Sequence, residues 1–243
     1  MLELKLREQQ LGLSEGGYSE WKTRERTEEI PAASAALLLC DVWDTHWCRG
    51  AVERLEAMIP RINETVAAAR MAGVQIVHAP SGTMEQYEDS PARKRALEAP
   101  AATPNEAEHV DPPMPVDASD DGSDTGEKKT GQPYSRQHLG VEIDHDSDLI
   151  SDDGSDVYNC LVQGKRDWML ILGVHTNMCV VGRSFGIKQM VRWGIKPILI
   201  RDLTDAMYNP AMPPYVSHDE GTRLTIGYIE KFWCPSVLSE DIL

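Results

Sequence analysis

The segment that most restricts the fold is Trp168-Met169-Leu170-Ile171-Leu172, an apolar run that leads directly into Gly173-Val174-His175-Thr176-Asn177-Met178-Cys179-Val180. An unbroken apolar run of strand length suits a strand buried on both faces, as in a parallel sheet. Val180 to Trp193 then reads as a helix. Cys179 is therefore expected at the carboxyl end of a buried strand and on the first turn of a helix. Unpaired N–H groups and the positive end of the helix dipole favour a thiolate there, so the thiol can become a nucleophile.

Other runs repeat the strand–helix alternation. Ala36 to Val42 is a second continuous apolar stretch. Ala51 to Arg70 carries Leu55, Ile59, Ile62 and Val66 on one helical face, and Gly73 follows as a stop. Val74 to Val77, Ile195 to Arg201 and Ser236 to Leu238 read as further strands, with a helix near Gly221–Phe232. The alternation predicts a Rossmann-like three-layer α/β/α fold around a central, mostly parallel sheet of about six strands. In such sheets the ligand site lies beyond the carboxyl ends of the strands.

At 243 residues, 41% of them hydrophobic, the chain can bury the core of one α/β domain. Residues 1–35 read as an N-terminal extension in which Leu2-Glu3-Leu4-Lys5-Leu6 alternates like an edge strand. No apolar run reaches the roughly 18–20 residues of a membrane span, and the N-terminus has no signal-peptide core. The five cysteines form no CxxC pair, which points to a reducing cytoplasm rather than to disulfides or structural zinc.

The net charge of −15 is uneven. Thirteen acids lie between Asp111 and Asp156 against Lys128, Lys129 and Arg136. Such a surface repels phosphate, so nucleic acid is excluded as a partner. Residues 85–137 are rich in Pro, Ala, Asp and Gly without a sustained period. An insertion this long, beginning after a strand at the site end of the sheet, is expected to serve as a lid.

Two candidate residues converge. Asp41 would sit at the carboxyl edge of its strand, where a buried aspartate requires a partner. Cys179 ends a neighbouring central strand. Together they favour chemistry over packing.

Three pieces carry a family resemblance: Ala36-Leu37-Leu38-Leu39-Cys40-Asp41-Val42, Gly173 to Val180, and Arg201-Asp202-Leu203-Thr204-Asp205-Ala206. The chain resembles the isochorismatase-like cysteine hydrolases, which include nicotinamidases and N-carbamoylsarcosine amidases. The resemblance implies that Cys179 attacks a carbonyl carbon, that Asp41 takes its proton, and that the backbone N–H groups of His175 and Cys179 form an oxyanion hole. It also implies a cis peptide at Val174–His175, homo-oligomers and a small-molecule substrate.

One family element is missing. The catalytic lysine position aligns near Asp146, and no lysine occurs between Lys129 and Lys165. Arg136, His138, His145 or a displaced Lys165 are the candidate replacements. Two readings follow: a hydrolase of small amides, ureides or carbamoyl compounds, or a silent relative that binds a small molecule or partner.

Trp43, Trp47, Arg136, His138 and Arg183 are candidate pocket residues. The chemistry requires no cofactor. A divalent ion has two candidate sites: Asp44, His46 and His78 for zinc, and the turn Asp117-Ala118-Ser119-Asp120-Asp121-Gly122 for calcium, although Lys128 stands where a calcium loop needs glutamate. His218 is expected to start a helix. An acidic lid would disfavour dianionic substrates and favour neutral or cationic ones.

Overall fold

The computed structural model describes residues 1–243. Its strands are β1 (Leu2–Leu13), β2 (Ser19–Ile30), β3 (Ala35–Cys40), β4 (Gln75–Ala79), β5 (Leu149–Ile150), β6 (Trp168–Val174), β7 (Lys196–Asp205) and β8 (Ser236–Val237). They form one eight-stranded sheet in the order β2-β1-β8-β7-β6-β3-β4-β5. The six strands from β8 to β5 are mutually parallel. The remaining two are an N-terminal hairpin, β1 with β2, joined antiparallel to β8 through Arg7 and Ser236. The expected edge strand is thus twelve residues long and has a partner that the sequence reading missed. β2 is charged and exposed almost throughout, so no apolar run marks it.

The helices are α1 (Arg49–Met71), α2 (Pro91–Leu97), α3 (Gly154–Gln163), α4 (Ile187–Arg192) and α5 (His218–Phe232). Alternation along the central strands divides the core into two layers. Leu37, Leu39, Leu170, Leu172 and Val174 face α1, where Leu55, Ile59, Ile62 and Val66 meet them as the helical spacing requires. Leu38, Met169 and Ile171 face the opposite way, toward Val157 and Leu161 of α3 and Ile226 and Ile229 of α5. Burying one such side chain contributes about 1.5–3 kcal/mol.

β6 and β3 approach closely. Gly173 has φ +113°, and a Cβ there would stand 2.0 Å from the Cys40 carbonyl oxygen. Only glycine fits, and its presence lets the two strand ends carrying the candidate residues lie side by side.

The insertion differs from expectation in its first part. Met84–Tyr87 forms a 3₁₀ turn and Pro91–Leu97 a helix capped by the Ser90 hydroxyl, which accepts from Ala92 N. Regular structure is absent from Glu98 to Asp148. That stretch is held by specific ties instead. Lys188 and Arg192 pair with Asp111, and Arg54 pairs with Asp124. No helix is long and apolar enough to cross a membrane.

Candidate active site

Asp41 follows the last residue of β3 and adopts φ +51°, turning the chain at the sheet edge. Its side chain is fully buried and its partners surround it. Oδ1 accepts from the Ser81 backbone N–H at 2.8 Å, and Oδ2 accepts from Arg183 Nε at 2.9 Å. The Cys179 thiol is its further neighbour and acts on its charged form. Burial raises the Asp41 pKa above the ordinary carboxylate value, while Arg183, Cys179 and Ser81 oppose that rise.

Cys179 lies on a π-helical turn, Thr176–Val180, where Val180 N donates to the His175 carbonyl at 3.1 Å. The helix expected over Val180–Trp193 is broken here. A wide turn at the cysteine and an irregular stretch through Gly186 precede α4. A Cβ on Gly186 would meet the Val180 carbonyl oxygen at 2.9 Å, so the close fold-back requires glycine. The thiol is not held as a thiolate: burial and the Asp41 charge push its pKa up to about 12, against the lowering influence of Arg183 and the His175 N–H. The environment expected to favour the thiolate is outweighed by desolvation.

The peptide Val174–His175 is cis. Thr204 Oγ1 donates to the Gly173 carbonyl at 2.8 Å and lies 2.7 Å from Thr176 Oγ1, bracing the turn from β7. Asn177 clasps the Met207 backbone in both directions, at 2.8 and 2.9 Å.

A cavity of about 140 Å³ opens onto Cys179. Trp43, Trp47, Tyr134, Met178 and Met207 supply its apolar walls, and Tyr134 stacks on Trp43 with ring centroids 3.9 Å apart. His46 and His175 lie edge to face at 4.9 Å. Both imidazoles are neutral, since burial pushes the pKa of His46 down to about 4 and that of His175 to about 3. Arg183, Lys129 and Asp121 complete the charged lining.

The structure therefore brings Asp41, Cys179, His175, Trp43, Trp47 and Arg183 together. It separates Arg136 and His138, which line a different cavity of about 670 Å³. Arg136 donates to Gln86 there at 3.0 Å, and His138 lies 3.0 Å from Glu56. Main-chain pairing places them: Arg136 and His138 bond the backbone of Asp44 and Val42, so that strand segment divides their side chains from Cys179. His145 lines that second cavity too. Lys165 lies in the turn leading into β6, at the opposite end of the sheet. None of the four candidates replaces the missing lysine. The cation beside Asp41 is Arg183, four residues after Cys179, and that spacing is the signal that could have identified it.

Asp44, His46 and His78 do not form the expected metal site. Asp44 accepts from Ser135 N and Oγ at 2.9 and 2.7 Å. His46 Nδ1 accepts from Cys48 N at 3.2 Å. His78 is fully buried between Gln137 and Asp148, at 2.9 Å from each. At the Asp117 turn the carboxylates are likewise committed, Asp117 to Ser119 N, and Asp120 to Gly122 N and Asn209. No group of three or more His, Cys, Asp or Glu is arranged to hold a metal ion. His218 begins α5 after the Ser217 cap and lies 2.9 Å from Asp205.

Lys129 and Tyr134 were not identified from the sequence. They reach the cavity from the irregular stretch, where no periodicity marks them.

No family model matches the sequence, and no curated protein matches it. Solved structures do. A cysteine hydrolase from Pseudomonas syringae pv. phaseolicola 1448A is 15% identical, with a TM-score of 0.57 over 88% of this chain and 92% of that one. An isochorismatase from Pseudomonas putida KT2440 is 10% identical, with a TM-score of 0.55 over 89% of this chain and 93% of that one. An isochorismatase family protein from Desulfovibrio vulgaris is 14% identical, with a TM-score of 0.50 over 85% and 95%. The shared property at these identities is architecture: the chain has the isochorismatase-like α/β/α fold, with an N-terminal hairpin added to one edge of its parallel sheet.

Proposed function

We propose that this protein is a cysteine hydrolase that cleaves the C–N bond of a small amide, ureide or carbamoyl compound. The observation that carries the reading is the buried Asp41 carboxylate between Arg183 and the Cys179 thiol, both of which line a cavity. A buried carboxylate that is charge-paired on one side and faces a thiol on the other is arranged to take a proton.

The resting thiol is neutral, so proton transfer and attack are coupled. As the Cys179 sulfur bonds to the carbonyl carbon, its proton passes to Asp41. The C–N bond then breaks, Asp41 returns the proton to the departing nitrogen, and an acyl thioester remains. Asp41 next takes a proton from water, whose oxygen attacks the thioester carbon. The C–S bond breaks, Asp41 gives its proton to the departing sulfur, and a carboxylic acid or carbamate leaves with thiol and carboxylate restored. Arg183 keeps Asp41 ionised in its desolvated site, the role assigned to lysine in the family that the chain resembles. The backbone N–H groups of His175 and Cys179 are the proposed oxyanion donors. The insertion, residues 85–137, contributes Asp121, Lys129, Gly131 and Tyr134 to the cavity lining and is proposed as its lid.

The test is a panel of short amides and ureides with wild type and Cys179→Ala. Ammonia release together with a trapped adduct on Cys179 by mass supports the reading. Absence of release and adduct across the panel, in folded protein, leaves the binding-only alternative.

A further inference from the structure

We propose that the cavity of about 670 Å³ at the start of α2 is a second ligand site, suited to a small organic anion with one negative group and an apolar body. It is a different space from the Cys179 cavity, with which it shares no lining residue. Occupancy there does not depend on any reaction at Cys179.

Two stretches form the walls, residues 86–91 leading into α2 and residues 136–145 of the irregular stretch. Cavities of about 300–1,000 Å³ take whole small organic molecules when apolar walls are combined with a few placed polar groups. Both are present here. Tyr87, Pro91, Val141 and Ile143 supply apolar wall. Leu139, in the same lining, is 79% exposed, so the chain leaves most of its apolar surface uncovered.

The polar groups set the sign of the ligand. Arg136 donates through Nη2 to Gln86 at 3.0 Å, and its Nε and Nη1 meet no protein acceptor. A guanidinium with free N–H groups in a cavity wall matches the oxygens of a carboxylate or sulfonate. His145 is fixed through Nδ1, 2.7 Å from Ser90 Oγ, and its Nε2 has no partner in the protein. Gln137 is 2% exposed; its Oε1 lies 2.9 Å from His78 Nδ1, and its Nε2 meets no acceptor. A buried donor left unpaired is costly, and an anionic ligand brings acceptor oxygens. His138 is already matched, since its Nδ1 accepts from Gly140 N at 3.0 Å and its Nε2 lies 3.0 Å from Glu56. Glu142 is the one carboxylate in the lining, and it is exposed. A second negative group on the ligand would meet it, so a monoanion is favoured over a dianion.

Anilinonaphthalenesulfonate, a monoanion with an aromatic body, is the probe, and its fluorescence is titrated against the full chain at neutral pH. We expect saturable binding at one site per chain, displaced by octanoate and not by octylamine. Arg136→Gln should weaken binding about tenfold, as expected for a lost charge-assisted contact, and Arg136→Lys should recover part of the loss. Leu139→Glu, at an exposed position outside the core, should weaken it at least as much by placing a like charge beside the ligand. Lys129→Gln, in the wall of the Cys179 cavity, should change it less than about twofold. Three results overturn the site in protein that circular dichroism shows to be folded: no saturable binding, displacement by octylamine as readily as by octanoate, or an affinity indifferent to both Arg136→Gln and Leu139→Glu. Loss of binding in Lys129→Gln places the probe in the Cys179 cavity and overturns it as well.

Discussion

Arg183 Nε donates to Asp41 Oδ2 at 2.9 Å, so the cation facing the buried carboxylate comes from the segment directly after the turn that carries the cysteine. Nucleophile and charge partner are thereby fixed by one short segment. Any shift of that turn moves both relative to Asp41.

Arg183→Ala should therefore lower kcat/KM about 100-fold, the low end of what positioned acid–base groups contribute. The sign of the pH effect follows from the pair. Asp41 must be ionised to accept a proton, burial raises its pKa, and Arg183 lowers it. Removing Arg183 raises it further, so the acid limb of the kcat/KM profile moves to higher pH. Arg183→Lys should restore part of the rate and return the limb toward its original position.

The neutral thiol gives a second expectation. With its pKa near 12, Cys179 would depend on Asp41 as proton acceptor for turnover at neutral pH in the proposed mechanism. Asp41→Asn removes a charge that raises the thiol pKa, so alkylation of Cys179 at pH 7 should quicken, while turnover falls at least about 100-fold with the proton acceptor gone. Cys40, Cys48, Cys160 and Cys234 are buried and should label slowly in both proteins, as read by peptide mapping.

Asp148 makes a prediction about stability. His78 and Arg70 hold its carboxyl down at about 2, against the upward pull of burial. A depressed carboxylate stabilises the fold above its unfolded pKa, about 3.9, and that contribution is lost as pH falls toward 2. Asp148→Asn should cost about 2 kcal/mol in urea unfolding at pH 7. The gap from wild type should close between about pH 4 and pH 2.

Gly173→Ala tests the strand approach. Its Cβ would lie 2.0 Å from the Cys40 carbonyl oxygen, on a backbone with φ +113°. Neither backbone can move without disturbing the central strands. A loss of about 4 kcal/mol, or recovery only as insoluble protein, is expected in denaturant titrations.

Tyr134→Ala should raise KM about fivefold with little change in kcat, because the Trp43 stack is worth about 1 kcal/mol and shapes the cavity wall rather than the reacting atoms.

Much of this arrangement was legible in the residue order because hydrophobic period is a strong local signal. Trp168–Val174 forms the strand its composition predicts, and α1 buries the four residues that its spacing places on one face. Asp41 and Cys179 could be placed because strand ends in parallel sheets converge. β2 was not legible: it lies at an edge, is charged along its length, and gains order from pairing with β1. Lys129 and Tyr134 were hidden for a different reason. Their positions depend on long-range ties such as Asp124 to Arg54 and Ser135 to Asp44, and no local pattern encodes them. The sequence reading grouped Asp44, His46 and His78 by residue type without partners, and they are not brought together. His78 is consumed by Gln137 and Asp148, and Asp44 by Ser135.

The irregular stretch from Glu98 to Asp148 has an evolutionary consequence. Asp41 and Cys179 are mounted beyond strand ends that packing holds rigid, while Lys129 and Tyr134 arrive on a segment without regular structure. Substitutions, and even changes of length, can accumulate in that segment without shifting Asp41 or Cys179. The wall of the cavity can therefore change while the proposed nucleophile stays in place.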